Sequence, residues 1–233
     1  MLIHEGDARS AAIDLRLAAL LSAVAGALNA TGFEVAGLFS ANMTGNLSAF
    51  ADALAVGRWG PALLFLSVVA VFVCGATLSG IVMEHGRKRR VRGIYAAMIL
   101  VEAGLLVALG LAGSGGSGVA TGMPLIFCLG FLLGWQNAVS TRISAARVRT
   151  THVSGMATDM GLALAGLWVR SERNALHRSQ LLLHAVTISA FIAGGVAGTL
   201  CHLVLGAVVF LVCGVPLAVV GASELLRARR ALP

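Results

Sequence analysis

The sequence predicts an all-α, polytopic membrane protein: six transmembrane helices arranged as two inverted three-helix repeats, with a short non-spanning helix after the first and fourth spans. Three observations lead there. Charged residues make up only 12% of the 233-residue chain and hydrophobic ones 58%, with a mean hydropathy of +0.91, against roughly 25% charged in an ordinary soluble domain. Apolar stretches recur that are long enough to cross a bilayer, which takes about 17 to 25 residues. Two stretches also repeat one another: Gly26-Ala27-Leu28-Asn29-Ala30 followed by Asn42-Met43-Thr44-Gly45-Asn46, and Gly134-Trp135-Gln136-Asn137-Ala138 followed by His152-Val153-Ser154-Gly155-Met156.

In chain order the apolar spans read as residues 17–37, 61–83, 93–111, 123–141, 181–200 and 203–222. The first 16 residues mix Glu5, Asp7 and Asp14 with Arg9 and Arg16. They lack a small-residue cleavage site after a short apolar run, so the first span is expected to stay as an anchor rather than be removed as a signal peptide. The net charge of +7 is not laid out as a nucleic-acid stripe with interleaved aromatics, and no nucleic-acid partner is expected. Instead Arg87, Lys88, Arg89, Arg90 and Arg92 lie between the second and third spans, and Arg142, Arg147 and Arg149 follow the fourth. Arg170, Arg173 and Arg178 precede the fifth span, and Arg227, Arg229 and Arg230 close the chain. Short loops rich in Lys and Arg stay in the cytoplasm. Six spans with both termini cytoplasmic put all four clusters there and leave 113–118 outside.

Between the first and second spans, and again between the fourth and fifth, lies a helical segment too short to cross, 46–56 and 156–169, at 1.5 Å per residue. If these segments crossed, the Arg87–Arg92 run would fall outside, against the charge rule. Each half, about 17–112 and about 123–222, then has three true spans, so the second is inverted relative to the first, as in many transporters. The Gly/Ser linker 113–118 joins them into a single membrane domain, 1–233. Gly130-x-x-x-Gly134 and Gly194-x-x-x-Gly198 are small-residue faces for close helix packing. Cys74, Cys128, Cys201 and Cys213 lack Cys-x-x-Cys spacing and read as buried thiols.

The polar residues of the repeated elements are the candidates for function. Thr44-Gly45 and Ser154-Gly155 stand at the starts of the short helices, where a hydroxyl can cap free N–H groups and glycine allows a turn or a ligand's approach. A helix N-terminus is also a ready anion site. Two such ends either cap surface-lying helices or converge on one solute. Asn29 and Asn137, with Gln136 beside the latter, are either glue between helices or cavity lining. Glu102 sits mid-span among Leu100, Val101, Leu105 and Leu106, where a charge costs at least about 3 kcal/mol. It should face the bundle interior, protonated or paired, and is a candidate for proton or cation coupling. His184, early in the fifth span, and His202, between the fifth and sixth, read as polar helix ends. His152 and Asp159, seven apart, lack a third ligand, and no hydrolase or nucleotide-binding motif is present. Neither an enzyme nor a cofactor nor a metal is expected.

At these residues the chain resembles the YoaK-like family of bacterial inner-membrane proteins, a family defined by a domain of unknown function. The resemblance runs from about residue 17 to 222. It rests on Phe39-Ser40-Ala41-Asn42-Met43-Thr44-Gly45-Asn46, and on Gly134-Trp135-Gln136-Asn137-Ala138 with Arg149-Thr150-Thr151-His152-Val153-Ser154-Gly155. Asn29 stands where the family commonly has Asp, and Ser154 where it has Thr. The resemblance implies a multi-pass protein of the bacterial inner membrane and brings no substrate. The functional expectation is therefore a small-solute transporter or channel, its substrate a small molecule or ion. Its site would be lined by Asn29, Asn42, Thr44, Gly45 and Asn46 from one half, and by Gln136, Asn137, Thr151, His152, Ser154 and Gly155 from the other. The alternative is a non-transporting membrane scaffold. Either is compatible with a homo-oligomer.

Overall fold

The computed structural model describes residues 1–2, 5–6, 9–115, 121–170 and 172–230, and among these it has eight α-helices and no strands. They are α1 (Ala11–Ala36), α2 (Met43–Ala55), α3 (Trp59–Lys88), α4 (Ile94–Ser114), α5 (Gly122–Ile143), α6 (Val153–Trp168), α7 (Asn174–Leu205) and α8 (Val208–Arg230). All but α2 and α6 are long and apolar enough to cross a bilayer, the pattern of a multi-pass membrane protein. Residues 116–118 of the expected Gly/Ser linker lie outside the described residues.

The helices run past the hydropathy spans, most at their polar ends: α1 starts at Ala11 rather than 17, α7 at Asn174 rather than 181, and α8 ends at Arg230 rather than 222. The fifth span was expected to stop at residue 200 and the sixth to begin at 203, but α7 continues to Leu205. It stops at Gly206, whose φ of 57° and ψ of −128° suit a residue without Cβ. His202 consequently belongs to the last turn of α7 rather than to a loop. The short helices begin three residues earlier than expected, at Met43 and Val153.

Three close helix pairs organise the bundle: α1 with α7, α3 with α5, and α4 with α8. In the first, a Cβ on Gly26 would run into the backbone carbonyl of Phe191, and one on Gly194 into that of Ala23. In the second, a Cβ on Gly134 would meet the carbonyl of Phe72, and one on Gly75 that of Phe131. Glycine thus lets backbones touch at matching places in the two pairs, with packing taking the role that apolar burial has in water. In α4 and α8, Gly110 lies against Leu211 and Gly221 against Leu100, so this crossing maps onto itself when the two helices are exchanged. Exchanging α1–α4 with α5–α8 likewise turns the α1–α7 pair into α5–α3, and the α2–α3 contact into α6–α7.

Which residues meet also fixes directions. Ala23 with Gly194 and Ala27 with Gly198 make α1 and α7 parallel. Phe131 with Gly75, and the Ser79 hydroxyl donating to the Trp135 carbonyl (3.2 Å), make α3 and α5 parallel. α1 opposes α5, since Gly32 meets Leu129 at one end while Arg147 just beyond α5 pairs with Asp14 at the other (2.8 Å). α4 opposes α8. These directions bring all four arginine-rich stretches to one end of the bundle. There Arg142 pairs with Glu84, Arg87 with Glu5 (3.4 Å), the Tyr95 hydroxyl donates to Glu5 (2.6 Å), and the Leu2 N–H donates to Glu224 (2.8 Å).

The core lies mainly between α1, α4, α5 and α8, around Leu21, Leu28, Ile99, Leu106, Leu132 and Phe210. α3 and α7 turn most of their apolar surface outward. The four thiols differ from the expectation of uniform burial: Cys213 is buried, Cys128 and Cys201 are half-buried, and Cys74 is exposed on α3, where lipid would be its neighbour.

Candidate functional site

The chain doubles back after α1. Gly37 closes the helix in the left-handed conformation at φ 68°, its N–H donating to the Phe33 carbonyl (2.7 Å), the usual geometry of a glycine-terminated helix. Phe39 then stacks on Phe33 with ring centroids 4.4 Å apart. The Ala41 N–H donates to Asn29 Oδ1 (2.8 Å). Asn29 lies seven residues before the end of α1, so the chain has returned by about 10 Å along the helix before α2 starts. Asn46, expected in the site, is buried and donates its amide to the Phe39 carbonyl (3.2 Å). It holds the fold-back in place.

The start of α2 is capped otherwise than expected. Asn42 is the N-cap, its Oδ1 accepting from the Gly45 N–H (3.1 Å), while Thr44 sits two residues further in, as the second residue of the helix. A carboxamide oxygen reaching the third N–H is a favoured cap, and it leaves the Thr44 hydroxyl without that task. A Cβ on Gly45 would fall on the Asn42 side chain, which would have to move from its capping position.

The second half repeats the design with other groups. After α5 the Ser144 hydroxyl accepts from the Val148 N–H (2.9 Å) and itself donates to the Ser140 carbonyl (2.7 Å). Thr150 then reaches Asn137 Oδ1 (3.5 Å), as Ala41 reaches Asn29. His152 occupies the N-cap of α6 but makes no capping bond with its side chain. Its ring lies over Gly155, where a Cβ would collide with it. Here too the hydroxyl, Ser154, is not the cap.

The two helix starts open into one cavity of about 880 Å³. From the first half Asn29, Asn42, Thr44 and Gly45 line it; from the second, Asn137, Thr151, His152 and Ser154. Eight of the eleven residues picked from the duplicated elements therefore share one space. Gly155 lies just behind, beneath His152. Asn46 and Gln136 do not line it. Pattern reading missed Arg149, Ser48, Phe39, Phe72 and Phe191, which do. Arg149 belongs to the basic cluster beyond the fourth span, which topology already explains; its place three residues before the His152 cap, where the first half has Phe39 before Asn42, is the sequence signal for it.

Gln136 turns the opposite way, into the core, where its Nε2 donates to Glu102 Oε1 (2.8 Å). Both side chains are 0% exposed. Glu102 Oε2 and Gln136 Oε1 have no hydrogen-bond partner among the described residues. Next to them the Trp135 indole N–H donates to the Met98 carbonyl (3.2 Å). The placement explains how a carboxyl survives mid-helix: it is inside the bundle and paired, as polar groups in membranes must be. Elsewhere, Asp159 approaches His184 (3.7 Å) rather than His152, and no cluster of three or more His, Cys, Asp or Glu suited to a metal is found among the described residues.

Compared with known proteins, the chain matches over residues 17–223 the family described as "Protein of unknown function (DUF1275)", and it belongs to that family. No curated protein and no solved structure matches it.

Proposed function

We propose that this protein is a small-solute transporter or channel of the bacterial inner membrane, with its solute held in the cavity between two inverted repeats. The observation that carries this reading is the convergence on one cavity of polar residues from both copies of the duplicated element. Inversion is supported by direction: α1 opposes its counterpart α5, and α4 opposes α8. Since α3 runs with α5 and α7 with α1, the third pair of counterparts is opposed as well. Gathering of the arginines at one end supports cytoplasmic termini by the positive-inside rule.

The short helices are read as re-entrant. At 13 and 16 residues they reach about 20 and 24 Å, short of the roughly 30 Å hydrocarbon core. Each begins only after the chain has turned back toward Asn29 or Asn137. Irregular backbone at such depth needs polar partners or a water-filled space, and the carboxamides and the cavity supply both. Glu102 is the coupling candidate, one carboxylate oxygen bound to Gln136 and the other with no partner among the described residues.

The test is reconstitution of the full chain in liposomes, with flux and ligand-dependent thermal stabilisation measured across amino-acid, sugar and anion panels. Flux or stabilisation by at least one class supports the reading. Silence across all of them would favour the scaffold, in which the same polar groups only hold helices together.

A further inference from the structure

The cavity is rich in donors and has no acidic side chain among the described residues that line it, and we infer that its solute is an organic anion: an acidic group held between the starts of α2 and α6 and Arg149, with an apolar body against phenylalanines. This rests on the solute-binding reading above and narrows it to a substrate class.

The first helical N–H groups of any helix lack internal acceptors. Here Asn42 satisfies only that of Gly45, and the N–H groups of Met43 and Thr44 have no acceptor among the described residues. In α6 the N–H groups of Val153, Ser154 and Gly155 have no acceptor among the described residues. Two helix ends, each worth about half a positive charge, thus meet in one space. A second, independent observation lies in Asn29, which is only 8% exposed. Because its Oδ1 accepts from the Ala41 N–H, its carboxamide cannot flip, and its NH₂ group must turn the other way. That group has no acceptor among the described residues, and Asn29 lines the cavity. Asn137, whose Oδ1 takes the Thr150 hydroxyl, offers the same donor from the other half.

Charge decides the sign. Arg149 lines the cavity, and among the described residues it has no carboxylate partner and no Asp or Glu lines the cavity. A cation would meet a guanidinium and two positive helix ends; an anion would meet donors on both sides. Size decides the kind. About 880 Å³ is the scale of pockets for organic ligands, far beyond a single inorganic oxyanion, and Phe39, Phe72 and Phe191 give it apolar walls.

The experiment follows thermal unfolding of the full chain in detergent with benzoate, its neutral counterpart benzamide, and inorganic phosphate. Benzoate is expected to raise Tm in a saturable way, and the other two to leave it unchanged. Arg149→Gln should weaken benzoate binding at least tenfold while Arg149→Lys keeps most of it. Asn29→Asp, which retains the acceptor for Ala41 but faces the ligand with a carboxylate, should weaken it similarly. Arg149 is exposed, so its variants should fold with an unliganded Tm near the parent's and carry the test even if Asn29→Asp does not fold. Equal stabilisation by benzamide, full binding by Arg149→Gln, or stabilisation by phosphate alone would overturn the inference. A response confined to neutral sugars or amino acids would overturn it while sparing the solute-site reading, and no response to anything, with no flux, would remove both.

Discussion

The two halves of this molecule share a backbone plan and differ in the chemistry mounted on it. Gly26 and Gly134 play the same part, each against a phenylalanine carbonyl of a neighbouring helix, and Gly45 and Gly155 each lie under the side chain that begins a short helix. The groups placed there are not the same. Asn42 caps α2 with a hydrogen bond, whereas His152 stands at the cap of α6 without one. Three residues earlier the first half has Phe39 and the second has Arg149. Ala103 and Gly214 face each other where α4 meets α8, and the residues just before them are Glu102 and Cys213. Packing constrains the positions where backbones touch in both halves alike, while positions facing open space or the core axis are free to diverge and give the cavity two unlike walls.

The sharpest break of the comparison is all-or-none. Reporter fusions at Lys88, Arg173 and after Arg230 should all report the cytoplasm and one at Ser114 the opposite side; opposite answers at Lys88 and Arg173 would mean that a short helix crosses and the halves are not inverted. Next in size, Gly26→Val and Gly134→Val should each cost about 3 kcal/mol, the upper range for overpacking, and lower the yield of folded protein. Gly104→Val in α4, which has open space at its Cβ, should be tolerated. Loss at one crossing alone would deny the equivalence.

A smaller effect tests the divergent pair. Glu102→Leu leaves the Gln136 amide without its acceptor and should cost about 1–3 kcal/mol in thermal unfolding, whereas Cys213→Ala, which breaks no hydrogen bond among the described residues, should cost less. Glu102→Gln should keep the fold and remove any pH dependence of flux; unchanged pH dependence would retire the carboxyl as a coupling group. Smallest of all, Asn42→Ala should lose a cap worth about 1 kcal/mol, seen as faster amide exchange in the first turn of α2. His152→Ala should leave the first turn of α6 nearly unaffected, since no capping bond is lost.

The spans and the duplicated elements were legible because they rest on composition and on local pattern: apolar runs, and an Asn or hydroxyl next to glycine at matching places. Directions of side chains were not. Asn137 and Gln136 are neighbours in sequence, yet one opens to the cavity and the other turns to Glu102, because adjacent helical residues point about 100° apart and only the neighbouring helices say which direction is the interior. Thr44 and Ser154 looked like caps because hydroxyls commonly are, but the fold-back to Asn29 and Asn137 starts each helix early enough that Asn42 and His152 take that place. Arg149 was masked by its own neighbours, since a basic cluster at a span end already has an explanation in topology.

The central claim is that the starts of α2 and α6 share one water-accessible cavity, and cysteine accessibility tests it most directly. With Cys74, Cys128, Cys201 and Cys213 replaced by Ala, Thr44→Cys and Ser154→Cys should each react with a small membrane-impermeant thiol reagent. In the double variant, a bulky adduct at one position should slow reaction at the other. Complete protection of both positions from both sides of the membrane, or full reactivity of each whatever the state of the other, would contradict it.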